Sequence, residues 1–396
     1  MDRLSRGRQS WSMTSLLARR AAIIITASIS LFALSACTPT PAPGGTTPAP
    51  GGSSAPVATP TPTATLSSLD STAPSPLINI SCDDLAPLAE VQKAYPGIPL
   101  VATTDLAAGD LLNVSNALPV SDFVRGAGGI ECLYDSQPDN NYRFTGTPHP
   151  SFELNVVFNA AASWATFQKR DFFTGDNFGE CDLGICQTDD LVNGSTWIDI
   201  LELEPNPAQQ SPVVDSIETT AKNAVKNAGT APTLPAADPA TVALGTQCTD
   251  FVANSDVQSA LGVTMPITAK TSIAYLEDQG TYSSWDASQD ALHDHPCTWK
   301  SGGIKFGSLN WIPAGAWAWK EAQTHSLIYG PAKPLVVTGL HAGDGAWVRC
   351  NTSQTACITD LVIGGNWIEA SLAKTGSASK LPAITSIANA IVAKLG

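Results

Sequence analysis

Basic residues, histidines and long apolar runs are all in short supply in this chain, and each shortage removes a class of function. Lys and Arg total 21 against 35 Asp and Glu, and five of the arginines (Arg3, Arg6, Arg8, Arg19, Arg20) crowd the amino terminus. Without these five and Asp2, 16 basic and 34 acidic residues remain, a net charge of −18. No basic stripe is left to neutralise phosphates, so nucleic acid is excluded as a partner. Anionic headgroups repel such a body too, so membrane attachment has to come from something other than surface charge. No apolar run reaches the roughly 20 residues that span a bilayer. Histidines number five (His149, His293, His295, His325, His341), and only His293-Asp294-His295 sets two imidazoles on one face of an extended segment. That segment lacks the helical spacing and flanking Glu of a zinc site, so no metal is implied. Phosphate loops, dinucleotide fingerprints and Gly-x-Ser-x-Gly elbows are absent, and no cofactor is implied. Ser371-Leu372-Ala373-Lys374 and Lys374-Thr375-Gly376 overlap on one lysine, which cannot serve two catalytic motifs at once.

What is present begins with an address. The arginine-rich start leads into an apolar run from Ala21 to Ala33, of signal-peptide length, that ends in Leu34-Ser35-Ala36-Cys37. The ending resembles the lipobox of bacterial lipoproteins. The resemblance implies that residues 1–36 are a lipoprotein signal peptide, that Cys37 carries a diacylglyceryl group with acyl chains such as palmitate, and that the chain is held on the extracytoplasmic face of the cell membrane.

Residues 37–77 are dominated by Pro, Thr, Ser, Gly and Ala, with Pro41-Ala42-Pro43-Gly44-Gly45 returning as Pro48-Ala49-Pro50-Gly51-Gly52. They cannot bury enough apolar surface to fold and are expected to form a disordered tether. Beyond them the chain repeats itself. Cys82-Asp83-Asp84-Leu85 through Val91-Gln92-Lys93-Ala94 returns at Cys248-Thr249-Asp250-Phe251 through Val257-Gln258-Ser259-Ala260, at an offset of 166. Asp190-Leu191-Val192, Gly194, Trp197-Ile198, Pro212 and Ser216-Ile217 return at an offset of 170, ending at Ser386-Ile387. Cys132 matches Cys297, Trp164 matches Trp319, and Cys181/Cys186 match Cys350/Cys357. Two homologous domains are expected, residues 78–230 and 245–396. A linker at 231–244, rich in Ala, Pro and Thr, should belong to neither core.

Each copy reads as a short helix, strands, a helix holding Trp164 or Trp319, a hairpin, a strand and a closing helix with an apolar stripe (Ile217, Ala221, Val225; Ile387, Ile391, Leu395). The regular strand-helix alternation of a parallel sheet is missing, so the expected class is α+β, an antiparallel sheet with packed helices in each repeat. Nine cysteines less the acylated one leave eight in an oxidising compartment. The simplest pairing is Cys82 to Cys132, Cys181 to Cys186, Cys248 to Cys297 and Cys350 to Cys357. The paired cysteines and Gly343-Asp344-Gly345-Ala346-Trp347, echoed by Gly175-Asp176-Asn177-Phe178, resemble uncharacterised cysteine-containing domains of actinobacterial lipoproteins. That resemblance carries no catalytic residue.

Recurring polar residues read as structure: Asp84/Asp250 as helix caps, and Asp190/Asp360 as turn residues ahead of a strand. Tryptophan is more suggestive, with seven in the second repeat and two in the first. Trp285 and Trp317 have no counterpart in the first repeat, and exposed indoles stack on sugars or anchor proteins, so a binding surface is expected there. The preferred reading is a non-catalytic envelope lipoprotein that binds a ligand or partner (cell-wall glycan or an envelope protein) or serves structurally. The alternative is a cell-wall hydrolase whose carboxylates, Glu277 with Asp278 or Asp286 with Asp290, converge in a pocket of one repeat.

Overall fold

The computed structural model describes residues 72–103, 118, 120–137, 150–170, 177–182, 185–203, 210–236, 241–271, 284–323 and 329–396. The first repeat runs α1 (Cys82–Leu85), α2 (Leu88–Val91), β1 (Val101–Thr103), α3 (Val120–Gly126), β2 (Ile130–Asp135), β3 (Ser151–Val157), α4 (Ala161–Arg170), β4 (Asn177–Asp182), β5 (Ile185–Val192), β6 (Thr196–Leu203) and α5 (Gln210–Ala228). The second follows with α6 (Cys248–Phe251), α7 (Asn254–Leu261), β7 (Thr268–Thr271), α8 (Ser284–Leu292), β8 (Cys297–Ser301), β9 (Ile304–Ile312), α9 (Ala316–Ala322), β10 (Lys333–Pro334), β11 (Gly345–Cys350), β12 (Cys357–Ile363), β13 (Asn366–Leu372) and α10 (Leu381–Leu395).

Both sheets are antiparallel and share one topology. The first has the order β1-β2-β3-β6-β5-β4, and the second repeats it as β7-β8-β9-β13-β12-β11 with β10 added at the edge. The α+β expectation holds, and the order of strands ties the two halves together more firmly than the short matching motifs do. Alternation explains the strands. In β3, Phe152, Leu154 and Val156 point to one face and Glu153, Asn155 and Val157 to the other, as the two-residue period of a strand requires.

The first face of each sheet carries that repeat's own core. Leu154, Val156, Ile198 and Ile200 lie under Ile217, Ala221 and Val225 of α5. Leu309, Trp311, Ile368 and Ala370 lie under Ile384, Ile387 and Ile391 of α10. Each such aliphatic side chain, fully buried, contributes about 1.5–3 kcal/mol before its entropy cost is counted. The expected single opening helix is split at Pro87. A capping box between Ser81 and Asp84 starts α1, and Gln247 with Asp250 does the same for α6. Disulfides Cys82–Cys132 and Cys248–Cys297 pin these openings to β2 and β8, and Cys350–Cys357 clips β11 to β12. Cys181 stands directly opposite Cys186 in the β4–β5 register, the place that Cys350 and Cys357 hold in the second sheet; the Cys181 sulfur lies outside the described side chains.

The second faces of the two sheets turn toward each other. Helix α8 packs on α3, α4, β3 and β6, while α3 packs on β9, so the equivalent helices α3 and α8 meet and each reaches the other repeat's sheet. This reciprocity is that of a two-fold interface within one chain. Its apolar filling mixes Phe123 and Ala127 with Trp285, Leu292, Ile312 and Trp317. Polar contacts cross it as well, among them two in related places: Arg125 donates to both Glu321 oxygens at 2.7 and 3.2 Å, and Ser163 donates to Asp290 at 2.7 Å.

Two expected boundaries shift. The end of the Pro/Thr-rich segment belongs to the folded part, since Ala73 packs against the shared interface and the Leu77 amide donates to the Gly128 carbonyl at 2.9 Å. The linker is also packed rather than free. Ala231 is buried in the first core, Leu234 lies against the interface, and Val242 donates to the Gly364 carbonyl at 3.0 Å. Apolar side chains spaced along both segments find cover there, which a reading by composition overlooks.

Candidate functional site

Polar side chains alternate with apolar ones along the central strands, so the interface between the repeats acquires a buried layer of acids. In the second repeat Asp360 and Glu369 are cross-strand neighbours. Arg349 reaches both from β11: its guanidinium donates to the two Asp360 oxygens at 2.9 and 2.9 Å and to Glu369 at 3.1 Å, with all three residues buried. Burial raises the Asp360 carboxyl above its ordinary range, and Arg349 opposes that rise.

In the first repeat Asp189 and Asp199 hold the matching cross-strand positions, and Glu180 occupies the register position of Arg349. Burial pushes Asp199 up to about 6, opposed by hydrogen bonds such as the one donated by Ser284 of the other repeat at 2.5 Å. Burial, aided by Asp199, holds Asp189 well above the usual carboxylate range. The Trp197 indole donates to Asp189 at 2.7 Å, as Trp367 does to Asp360 at 3.2 Å.

This geometry corrects the expected equivalence of Asp190 with Asp360. Three residues join β5 to β6 after Val192, but only two join β12 to β13 after Ile363, so the partner of Asp360 is Asp189. Asp190 faces the other way, where Lys222 of α5 donates to it at 3.0 Å. Neither Asp190 nor Asp360 is the expected turn residue; both lie within strands.

The expectation of exposed indoles at Trp285 and Trp317 is overturned. They retain 3% and 2% of their surface. Trp285 meets Phe123 edge to face at 6.2 Å, and Trp317 carries the Arg125 guanidinium 4.6 Å above its ring. They lack counterparts in the first repeat because they fill the joint between repeats, and that same lack was the available sequence signal for an interface.

Trp317 nevertheless borders an opening. Where α3 and α8 end, a cleft of about 510 Å³ lies between Gly126 of the first repeat, Leu292, His293 and Trp317 of the second, and Leu234 and Thr241 of the linker. Thr72 and Pro74, ahead of the first repeat, close one wall. The lining is mostly apolar, and among the described residues His293 is its single ionisable side chain. Its volume and polarity are those of a small-molecule site.

The other expected chemistry falls elsewhere. Glu277, Asp278, His149 and His325 lie outside the described residues. Asp286 is buried, Asp290 accepts the Ser163 bond, and neither lines the cleft. His295 sits 3.9 Å from Asp290. No group of three His, Cys, Asp or Glu among the described residues is arranged to hold a metal ion, and no described helix is long and apolar enough to cross a membrane. The chain matches no protein-family model, no curated protein and no solved structure.

Proposed function

We propose that the protein is a non-catalytic lipoprotein, held on the extracytoplasmic face of the cell membrane through a diacylglyceryl group on Cys37, that binds a small ligand in the cleft between its repeats. The cleft carries the ligand-binding part of this reading, because it is a mostly apolar opening of about 510 Å³ with the His293 imidazole in its wall. The address is supported by the Leu34-Ser35-Ala36-Cys37 ending of the leader and by three disulfides, which persist in an oxidising compartment. The acid pairs Asp189 with Asp199 and Asp360 with Glu369 are sealed inside the interface, which favours binding over acid–base attack on a glycan.

The test uses full-length protein extracted from membranes. The peptide beginning at Cys37 should carry diacylglycerol, and native mass spectrometry should find a bound mass that Ala236→Trp, at the exposed rim of the cleft, expels. An intact leader with an unmodified Cys37, or a bound mass indifferent to Ala236→Trp, overturns the corresponding half of the reading.

A further inference from the structure

The two-fold relation between the repeats lets one half of the interface report on the other. Helices α3 and α8 end in the same way: Gly128 and Gly129 donate to the carbonyls of Arg125 and Val124, and His293 and Asp294 donate to those of Asp290 and Gln289. Gly128 and His293 are therefore equivalent. Both adopt left-handed backbone, φ 69° and 55°. Glycine suits that conformation, whereas an L side chain there is strained, and strain of this kind concentrates at binding sites.

What covers the two positions differs. Over Gly128 the chain places its own aliphatic groups, Leu77 and Leu234, so close that an added methyl would lie 2.8 Å from the Leu77 side chain and 3.3 Å from that of Leu234. Over His293 there is the cleft, with the imidazole exposed at its rim. The filled half shows which chemistry the surface accepts, namely branched or linear hydrocarbon. The open half adds a hydrogen-bonding imidazole. Among the described residues no carboxylate lines the cleft, although the whole chain has a net charge of −14.

We propose that the cleft holds the hydrocarbon chain of a fatty acid, with its carboxylate hydrogen-bonded by His293. This rests on the ligand-binding reading above and specifies the ligand. The hydrocarbon chain takes the place that Leu77 and Leu234 hold over Gly128, and the carboxylate meets the imidazole in a charge-assisted bond, which a neutral head forms more weakly and for which a protonated imidazole offers an ammonium head no acceptor.

The experiment follows 11-(dansylamino)undecanoic acid, which brightens in an apolar site, on the full chain with dodecanoic acid, dodecanol and dodecylamine as competitors below their micelle concentrations. Dodecanoic acid should displace the reporter at about tenfold lower concentration than either rival. His293→Gly, which restores the residue type of Gly128 and relieves the backbone, should cost dodecanoic acid about tenfold and leave dodecanol nearly unchanged. Ala236→Trp should abolish brightening. Equal competition by all three heads, an equal effect of His293→Gly on acid and alcohol, or brightening that survives Ala236→Trp overturns the proposal. If the reporter stays dark while native mass spectrometry still finds a mass that Ala236→Trp expels, the fatty acid falls and the ligand-binding reading stands; if neither finds a ligand, both fall.

Discussion

Replacing Glu202 with Leu should make this protein more stable at pH 7.5 and remove much of its pH dependence. Glu202 lies on the core face of β6, between Phe152 and Cys186 in register, at 0% exposure, and neither carboxyl oxygen has a hydrogen-bond partner among the described residues. Burial alone pushes its carboxyl up from 4.5 to about 8. The folded form therefore holds a proton that the unfolded chain releases above about pH 4.5, and stability falls as pH rises from there toward 8. At pH 7.5, taking up that proton costs about 4 kcal/mol, at 1.36 kcal/mol per pH unit above the unfolded value; at pH 5 it costs about 1. The equivalent residue on β13 is Leu372, buried and apolar, so the fold already accommodates Leu at this position. Urea unfolding at both pH values should show Glu202→Leu gaining about 3 kcal/mol more at pH 7.5 than at pH 5. An equal change at both, or a wild-type midpoint that climbs with pH across this window, would refute the reasoning.

Arg349→Met leaves Asp360 and Glu369 buried without their cation and should cost about 3–5 kcal/mol in chemical denaturation, with recovery when both acids are also made apolar. No recovery in the triple variant would mean that Arg349 acts through packing instead. Converting Cys82 and Cys132 to Ser, which opens a separation of 50 residues, should cost about 4 kcal/mol by loop-closure entropy, against about 2 for Cys350 and Cys357, separated by 7. The comparison of melting temperatures between the two double variants checks that order.

The repeat was legible because its matching residues are structural necessities: the cysteines joining α1 to β2 and α6 to β8, the apolar stripes of α5 and α10, and Trp197 and Trp367, each bonded to an acid. The α+β class with antiparallel sheets and three of the four expected disulfide pairs followed from them. Legibility failed where a single residue changes register, as at the hairpin after Val192, because a constant offset cannot register a turn one residue longer. It failed again at Trp285 and Trp317, since periodicity reports which face of an element is apolar but not whether water or a second repeat lies over it. The cleft draws on residues as distant as Thr72 and Gly365 and has no local pattern at all. One sign of it was nevertheless available, His293 aligned with Gly128 after a helix, where glycine is the undemanding choice.

Joining the halves in one chain has a further effect on stoichiometry. Two identical subunits meeting as α3 meets α8 would display every substitution twice and would depend on concentration to associate. Linked by residues 231–244, each half instead meets its partner at a fixed, high local concentration, and the halves are released from identity. Arg349, Trp317 and His293 then occur once, opposite Glu180, Ala162 and Gly128. The cleft beside His293 therefore has no symmetric twin over Gly128, where Leu77 and Leu234 lie instead, so it should saturate at a single equivalent of ligand.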